Sequence, residues 1–213
     1  MRTRTKQYVL LSLIGILLGL MPITKGRTED LQPPQQVIQH VSTQLQQKLH
    51  DTSFTKDFAQ VTRFVDGVIN EHTDFDKIAP LVLGKNWKTA TEKEKERFKR
   101  EFRTLLVRTY SRAFIEYNNW TIHFLPFEMP NDATKVVVKT EIVQSGQQSL
   151  GVNYRMLMSN GEWKVYDIMI DGVSLVTNYR ATFNEEIQTK GSLSAVIDGL
   201  AQRNAEALSA QGS

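Results

Sequence analysis

Apolar positions follow a helical period early in the chain, alternate with polar ones in its middle, and return to a helical period near its end. Val37, Val41, Leu45 and Leu49 recur every four residues with Ile38 beside them, and Pro33-Pro34 suits the start of that helix. Phe54, Phe58, Val61, Phe64, Val65, Val68 and Ile69 make a second helical stripe. Thr73–Asp76 (TDFD) reads as a turn and N-cap cluster before a short helix, Lys77–Leu83, that ends at Gly84. Thr91 and Glu94 form a capping box for a long helix running to about Tyr117. The inner stripe of that helix is Phe98, Phe102, Leu105, Leu106, Thr109, Tyr110, Ala113 and Tyr117. Glu92–Arg100 (EKEKERFKR) carries both signs of charge and reads as a solvated face.

The period then changes. Trp120–Leu125 is a strand that stops at Pro126, and Lys135–Gln144 is rich in β-branched residues. Ser145–Gln147 reads as a hairpin loop. Leu150, Val152, Tyr154, Met156 and Met158 then share one strand face. Asn160-Gly161 is a strong hairpin signal before a strand at Trp163–Ile170. Val173–Ile187 returns to helical spacing through Val176, Tyr179, Phe183 and Ile187. Gly191 stops that helix, and a last one runs from about Ser192 to Leu208. The expectation is a single α+β domain: an antiparallel sheet of about four strands, flanked by N-terminal and C-terminal helices.

The N-terminus is different in kind. Met1–Gln7 is cationic, Tyr8–Met21 is an uncharged apolar run of 14 residues, and Pro22 breaks it. This is the pattern of a secretory signal. As a helix the run would extend roughly 21 Å, short of the ~30 Å hydrocarbon core. Thr24 and Gly26 have the spacing of a cleavage site, though without an A-x-A, so residues 1–26 are expected to be a signal peptide and residues 27–213 the exported domain, with an uncleaved anchor as the alternative.

Charge adds little. The chain has a formal net charge of +3, but the first 26 residues hold four basic groups and no acid. Without them, 22 basic and 23 acidic side chains remain, a net charge of −1. Bulk charge therefore gives nucleic-acid binding no support. The absence of cysteine excludes disulfides, thiolate metal sites and a Cys nucleophile.

Catalytic patterns are sparse. His40, His50, His72 and His123 form no H-E-x-x-H pair. Glu71–Asp76 (EHTDFD) groups a histidine with carboxylates, and it reads first as a polar helix junction with Asp caps. Ser174 in Asp171–Ser174 (DGVS) lacks the G-x-S-x-G context and reads as a turn at a helix start. No metal ligand set, Gly-rich phosphate loop or catalytic residue is assigned. What remains is apolar material on the sheet and the long helix, which periodicity alone leaves open as a filled core or a hollow one.

Two segments carry a resemblance. Ala79–Thr91 (APLVLGKNWKTAT), followed by Phe98, Phe102, Leu105, Leu106 and Tyr110, is similar to the MlaC family. So is Trp163–Phe183 (WKVYDIMIDGVSLVTNYRATF), with its W-x-x-x-D and D-G-V-S-L strand-to-helix junction. Order and spacing match over roughly Val37–Ala207. The family comprises periplasmic phospholipid-shuttle proteins, also called toluene-tolerance auxiliary components of an ABC transporter. The resemblance implies an apolar acyl-chain pocket enclosed by sheet and helices, phospholipid as cargo, no cofactor and no catalytic residue. It implies lipid exchange with an outer-membrane lipoprotein–porin complex and with an inner-membrane ABC transporter complex that has an MCE-domain subunit. A monomeric periplasmic carrier that maintains outer-membrane lipid asymmetry is the resulting expectation. The competing readings are a structural periplasmic adaptor with a solid core and a small periplasmic enzyme using His123 or Asp167.

Matching apolar positions supply the expected lipid-binding residues. They are Phe102, Leu106 and Tyr110 from the long helix, and Val138, Thr140, Ile142, Val152, Tyr154, Met156, Val165 and Ile168 from the sheet. Val176 and Tyr179 come from the helix that follows. In a regular strand Val165 and Ile168 point to opposite faces, so this set does not choose between the faces. Lys85 and Arg180 are considered for headgroup or partner contacts at the mouth.

Overall fold

The computed structural model describes residues 30–116 and 119–209. The expected signal peptide, its cleavage site and Tyr117 lie outside the described residues. Four helices, α1 (Pro33–Leu49), α2 (Phe58–His72), α3 (Phe75–Leu83) and α4 (Lys85–Thr89), precede the long α5 (Glu92–Glu116). Five strands follow: β1 (Trp120–Phe124), β2 (Lys135–Gln144), β3 (Leu150–Ser159), β4 (Glu162–Ile170) and β5 (Val173–Ser174). The chain ends in α6 (Leu175–Lys190) and α7 (Leu193–Ser209). The strands form one antiparallel meander in sequence order. This is the expected α+β fold, with a short fifth strand added. Among the described residues no helix is long and apolar enough to cross a membrane.

Local chemistry sets the element boundaries. Pro33 opens α1, and Asp57 caps α2 by accepting the Gln60 N–H at 2.9 Å. That cap divides the apolar stripe that begins at Phe54, whose first turn is a separate 3₁₀ segment, Phe54–Lys56. Asp74 caps α3 through the Lys77 N–H. The Thr91–Glu94 capping box forms in both directions, with Thr91 N–H to Glu94 Oε2 at 2.9 Å and Glu94 N–H to Thr91 Oγ1 at 3.3 Å. Asn160 and Gly161 both take positive φ, +51° and +83°, the backbone of a tight two-residue hairpin. Ser174 caps α6 at the Thr177 N–H. Val173 and Ser174 pair with β4, so the helix expected from Val173 begins at Leu175.

Strand register decides which residues share a face, because directly opposed residues of an antiparallel pair point the same way. Val138 opposes Tyr154, and Thr140 opposes Val152. Tyr154 opposes Ile168, Arg155 opposes Asp167, and Met156 opposes Val165. Two residues of β4, Tyr166 and Asp167, thus answer one of β3. This β-bulge returns Val165 to the face of Ile168. The alternation expected for β4 is corrected by the bulge.

Burial concentrates in three clusters. The largest joins Ile78, Ala79, Val82 and Leu83 of α3 with Phe98 and Phe102 of α5, Val176 and Phe183 of α6, and Val196, Ile197 and Leu200 of α7. Phe183 meets Phe98 edge-on at 5.1 Å and Phe102 at 5.8 Å between ring centroids. A second cluster ties α1 and α2 to Val107 of α5. The third sets Ile38 of α1 against Val138, Met156, Trp163 and Val165 of the sheet. A backbone bridge from Asp74 N–H to Val165 O, 2.9 Å, fastens the α2–α3 junction to β4.

Candidate functional site

The sheet half of the expected site converges on one surface. Val138, Thr140, Ile142, Val152, Tyr154, Met156, Val165 and Ile168 share a single sheet face by register and bulge. Ile122 and Phe124 of β1 oppose Ile142 and Thr140 and extend that face. Sequence reasoning left them out, although the alternation Trp120–Phe124 carried the signal. α1 covers the deep part of the face, where Val138 and Met156 have no exposed surface. Toward the β2–β3 hairpin burial fades. Ile142 is half-buried and Leu150 is 38% exposed.

The helical half is arranged differently. Phe102 and Val176 are buried inside the aromatic cluster, with Phe102 5.1 Å from the Tyr179 ring. Leu106, Tyr110 and Tyr179 are half-buried, as are Leu105 and Phe114. Thr109, expected on the inner stripe of α5, is exposed. The principal neighbours of α5 are α7, α2 and α3, whereas those of the sheet are α6, α3, α1 and α2.

Electrostatics distinguish these half-buried groups from surface ones. Burial pushes the Tyr154 phenol up to about 12, with the Thr140 hydroxyl pulling the other way. As a residue Tyr154 is half-buried. Burial, with Tyr179 nearby, pushes Tyr110 to about 12, and burial also raises Tyr179 against the opposing charge of Arg108.

Other candidates have structural employment. Asp167, 4% exposed, accepts from Ser174 Oγ–H at 2.7 Å, the Val176 N–H at 3.1 Å and Arg155 Nη1 at 3.3 Å. Ser174 therefore spends its proton on Asp167. Asp74 caps α3, and Asp76 holds Lys99 at 2.7 Å. Among the described residues no group of three or more His, Asp or Glu side chains is placed to hold a metal ion. Arg180 donates its Nε–H to the Leu81 carbonyl and joins α6 to α3, while Lys85 stays exposed. His123 is exposed on β1.

A model of the MlaC protein family matches residues 39–202. The chain belongs to the MlaC family. It is 27% identical over 199 residues to "Toluene tolerance protein ttg2D" of Pseudomonas putida, covering 90% of this chain and 89% of that one. It is 29% identical over 98 residues to the "Intermembrane phospholipid transport system binding protein MlaC" of Haemophilus influenzae, 45% of this chain and 46% of the relative. Its fold is similar to that of the phospholipid-binding protein from Ralstonia solanacearum, solved in complex with a phospholipid, with a TM-score of 0.75 and 28% identity. That likeness covers 83% of this chain and 99% of the other. The MlaC segments singled out in the sequence serve the fold: Ala79–Thr91 carries α3, α4 and the α5 cap, and Trp163–Phe183 carries the bulge and the Asp167–Ser174 junction.

Proposed function

We propose that this chain is a periplasmic phospholipid carrier whose acyl chains lie between α5 and the face of the sheet that bears Tyr154. The observation that carries this reading is that apolar side chains of both layers are only half-buried: Leu106, Tyr110 and Tyr179 on the helices, and Tyr154 and Ile168 on one face of the sheet. The fully buried members of the expected set, such as Phe102, Val138 and Met156, act as backing. Membership of the MlaC family and the phospholipid in the Ralstonia neighbour support the same cargo.

The physics suits a carrier. Each methylene exposed to water costs about 0.8 kcal/mol, so a two-chain lipid does not cross water unaided. A cavity exchanges one apolar surrounding for another, so the net transfer from bilayer to pocket is small and reversible. Direction then comes from the partners: an outer-membrane lipoprotein–porin complex at one end and an inner-membrane ABC transporter complex with an MCE-domain subunit at the other. The exported domain, residues 27–213, works as a monomer without catalysis and helps to maintain outer-membrane lipid asymmetry.

Native mass spectrometry of residues 27–213, expressed to the periplasm, tests this. A stoichiometric adduct that organic extraction identifies as phospholipid is expected. An apo mass that also persists after incubation with phospholipid vesicles would leave the solid-core adaptor in its place.

A further inference from the structure

Asp66 meets Arg103 and Phe58 meets Arg112, so α2 and α5 run antiparallel, and residues of both, with Leu208 of α7, line a groove of about 500 Å³. None of the residues assigned to the acyl pocket lines it. Its cations sort by partner. Arg103 clasps Asp66 with both Nε and Nη2. Lys99 lies 2.7 Å from both Asp76 and Glu96, and Arg100 pairs with Glu101 at 3.1 Å. Those three are neutralised. Arg63 and Arg108, also in the lining, have no carboxylate partner among the described residues.

These two belong to one level of the helix pair. Arg112, a turn beyond Arg108, lies over the Phe58 ring of α2 at 5.8 Å and also has no carboxylate partner among the described residues. Between Phe102 and Ile115, α5 carries Arg103, Arg108 and Arg112 and no acid. Arg108 is half-buried, and its Nε–H goes to a neutral acceptor, Asn204 Oδ1, at 2.9 Å. Burial, and then the charges of Arg203 and Arg112, loosen its hold on its proton, with Tyr179 opposing. Arg203 itself has Glu186 at 3.3 Å. The fold thus gathers guanidinium groups without matching charge, and an arriving anion would relieve their repulsion.

We propose that Arg63 and Arg108, which line one end of the groove, together with Arg112 a turn beyond that lining, bind a phosphoryl anion at a site that shares no residue with the acyl pocket. Guanidinium forks meet phosphoryl oxygens in two-pronged, charge-assisted hydrogen bonds. Free phosphate and a phospholipid headgroup share this chemistry. No residue is common to this site and the acyl pocket, although Arg108 lies close enough to Tyr179 for their charges to interact.

Calorimetric titrations with inorganic phosphate and with glycerophosphoglycerol, a headgroup without acyl chains, test the site. Saturable binding of at least one probe is expected. The double variant Arg63→Gln/Arg112→Gln should weaken it about tenfold or more, and added salt should weaken it further. Lys88→Gln, on exposed α4, should leave it unchanged. Tighter binding of glycerophosphoglycerol assigns the site to a headgroup, and tighter binding of phosphate to the free anion. No binding of either probe overturns the proposal, as does unchanged binding in a double variant that melts like the parent. Phospholipid content by native mass spectrometry is read on the same samples and should be equal in both proteins, so failure of the carrier reading registers separately.

Discussion

The Ser174 hydroxyl donates to the Asp167 carboxylate at 2.7 Å, and its oxygen accepts the Thr177 N–H at 3.1 Å. One side chain therefore both caps α6 and ties it to the bulged strand β4. Asp167 adds its own bond to the Val176 N–H and faces the helix N-terminus, where negative charge is favoured. The bulge allows this: it inserts an extra residue beside Asp167 while Ile168 and Val165 stay on the opposite, apolar face.

Replacing Asp167 should therefore be costly. Asp167→Ala leaves the Val176 N–H and the Ser174 hydroxyl without their buried acceptor, a loss of about 2–4 kcal/mol. Asp167→Asn retains one acceptor oxygen and should lose less. Urea denaturation of both variants measures the order. Equal stability of Asp167→Ala and the parent would show that the junction does not hold α6.

Much of this arrangement was legible in the sequence, and the exceptions share a cause. The Thr91–Glu94 box, the Asn160-Gly161 turn and the stop at Gly191 each depend on residues within a few positions, so local chemistry declares them. The bulge depends on how β4 meets β3, and no local pattern in Trp163–Ile170 marks it. For that reason Val165 and Ile168 could not be assigned to one face. The short α4 was missed because Lys85–Thr89 has no apolar stripe; Asn86, bonded to Asn184 at 2.8 Å, fixes it to α6. Filled and half-filled space look alike in an alternating pattern, so Met156 and Tyr154 could be told apart only by burial.

Acid should weaken the α1–α2 contact. His40 and His72 meet edge-on, 5.9 Å between ring centroids. Burial, and then the neighbouring His40, lower the His72 pKa from 6.5, with Glu71 and Glu162 opposing and Lys164 adding to the shift. A base with a depressed folded pKa binds its proton more readily when unfolded. Its stabilising contribution is present above about pH 6.5 and is lost as pH falls through that value toward the folded pKa. Thermal melts at about pH 7.5 and about pH 5 should show a smaller drop for His72→Gln than for the parent. An identical drop in both would assign the acid sensitivity to other groups.

Alkali should act through Tyr154. Its folded pKa of about 12 exceeds the usual 10 because of burial. The unfolded chain therefore ionises first, and stability falls between those two values. Full ionisation of the unfolded state costs the fold about 2–3 kcal/mol from this phenol alone. Tyr154→Phe should flatten that part of the pH–stability curve, which chemical denaturation at stepped pH records. A Tyr154 phenol that titrates near 10 in the folded protein, read by ultraviolet difference against the Phe variant, would mean that water reaches it freely.

Ile168→Trp separates a hollow core from a solid one. Ile168 is half-buried and shares its face with Tyr154 across the β3–β4 pair. In a filled core the added ring volume has nowhere to go, and overpacking costs about 1–3 kcal/mol. In a cavity the indole takes space that an acyl chain would occupy, so stability holds while bound phospholipid falls by about half or more. Val137→Trp provides the reference, because Val137 lies on the opposite face, opposed by Arg155 and 40% exposed. Native mass spectrometry and thermal melts on the same samples give both readouts. Retained stability with lost lipid is the expected result for Ile168→Trp, with neither changed in Val137→Trp. A destabilised Ile168→Trp that keeps its full lipid load would move the acyl chains away from this sheet face.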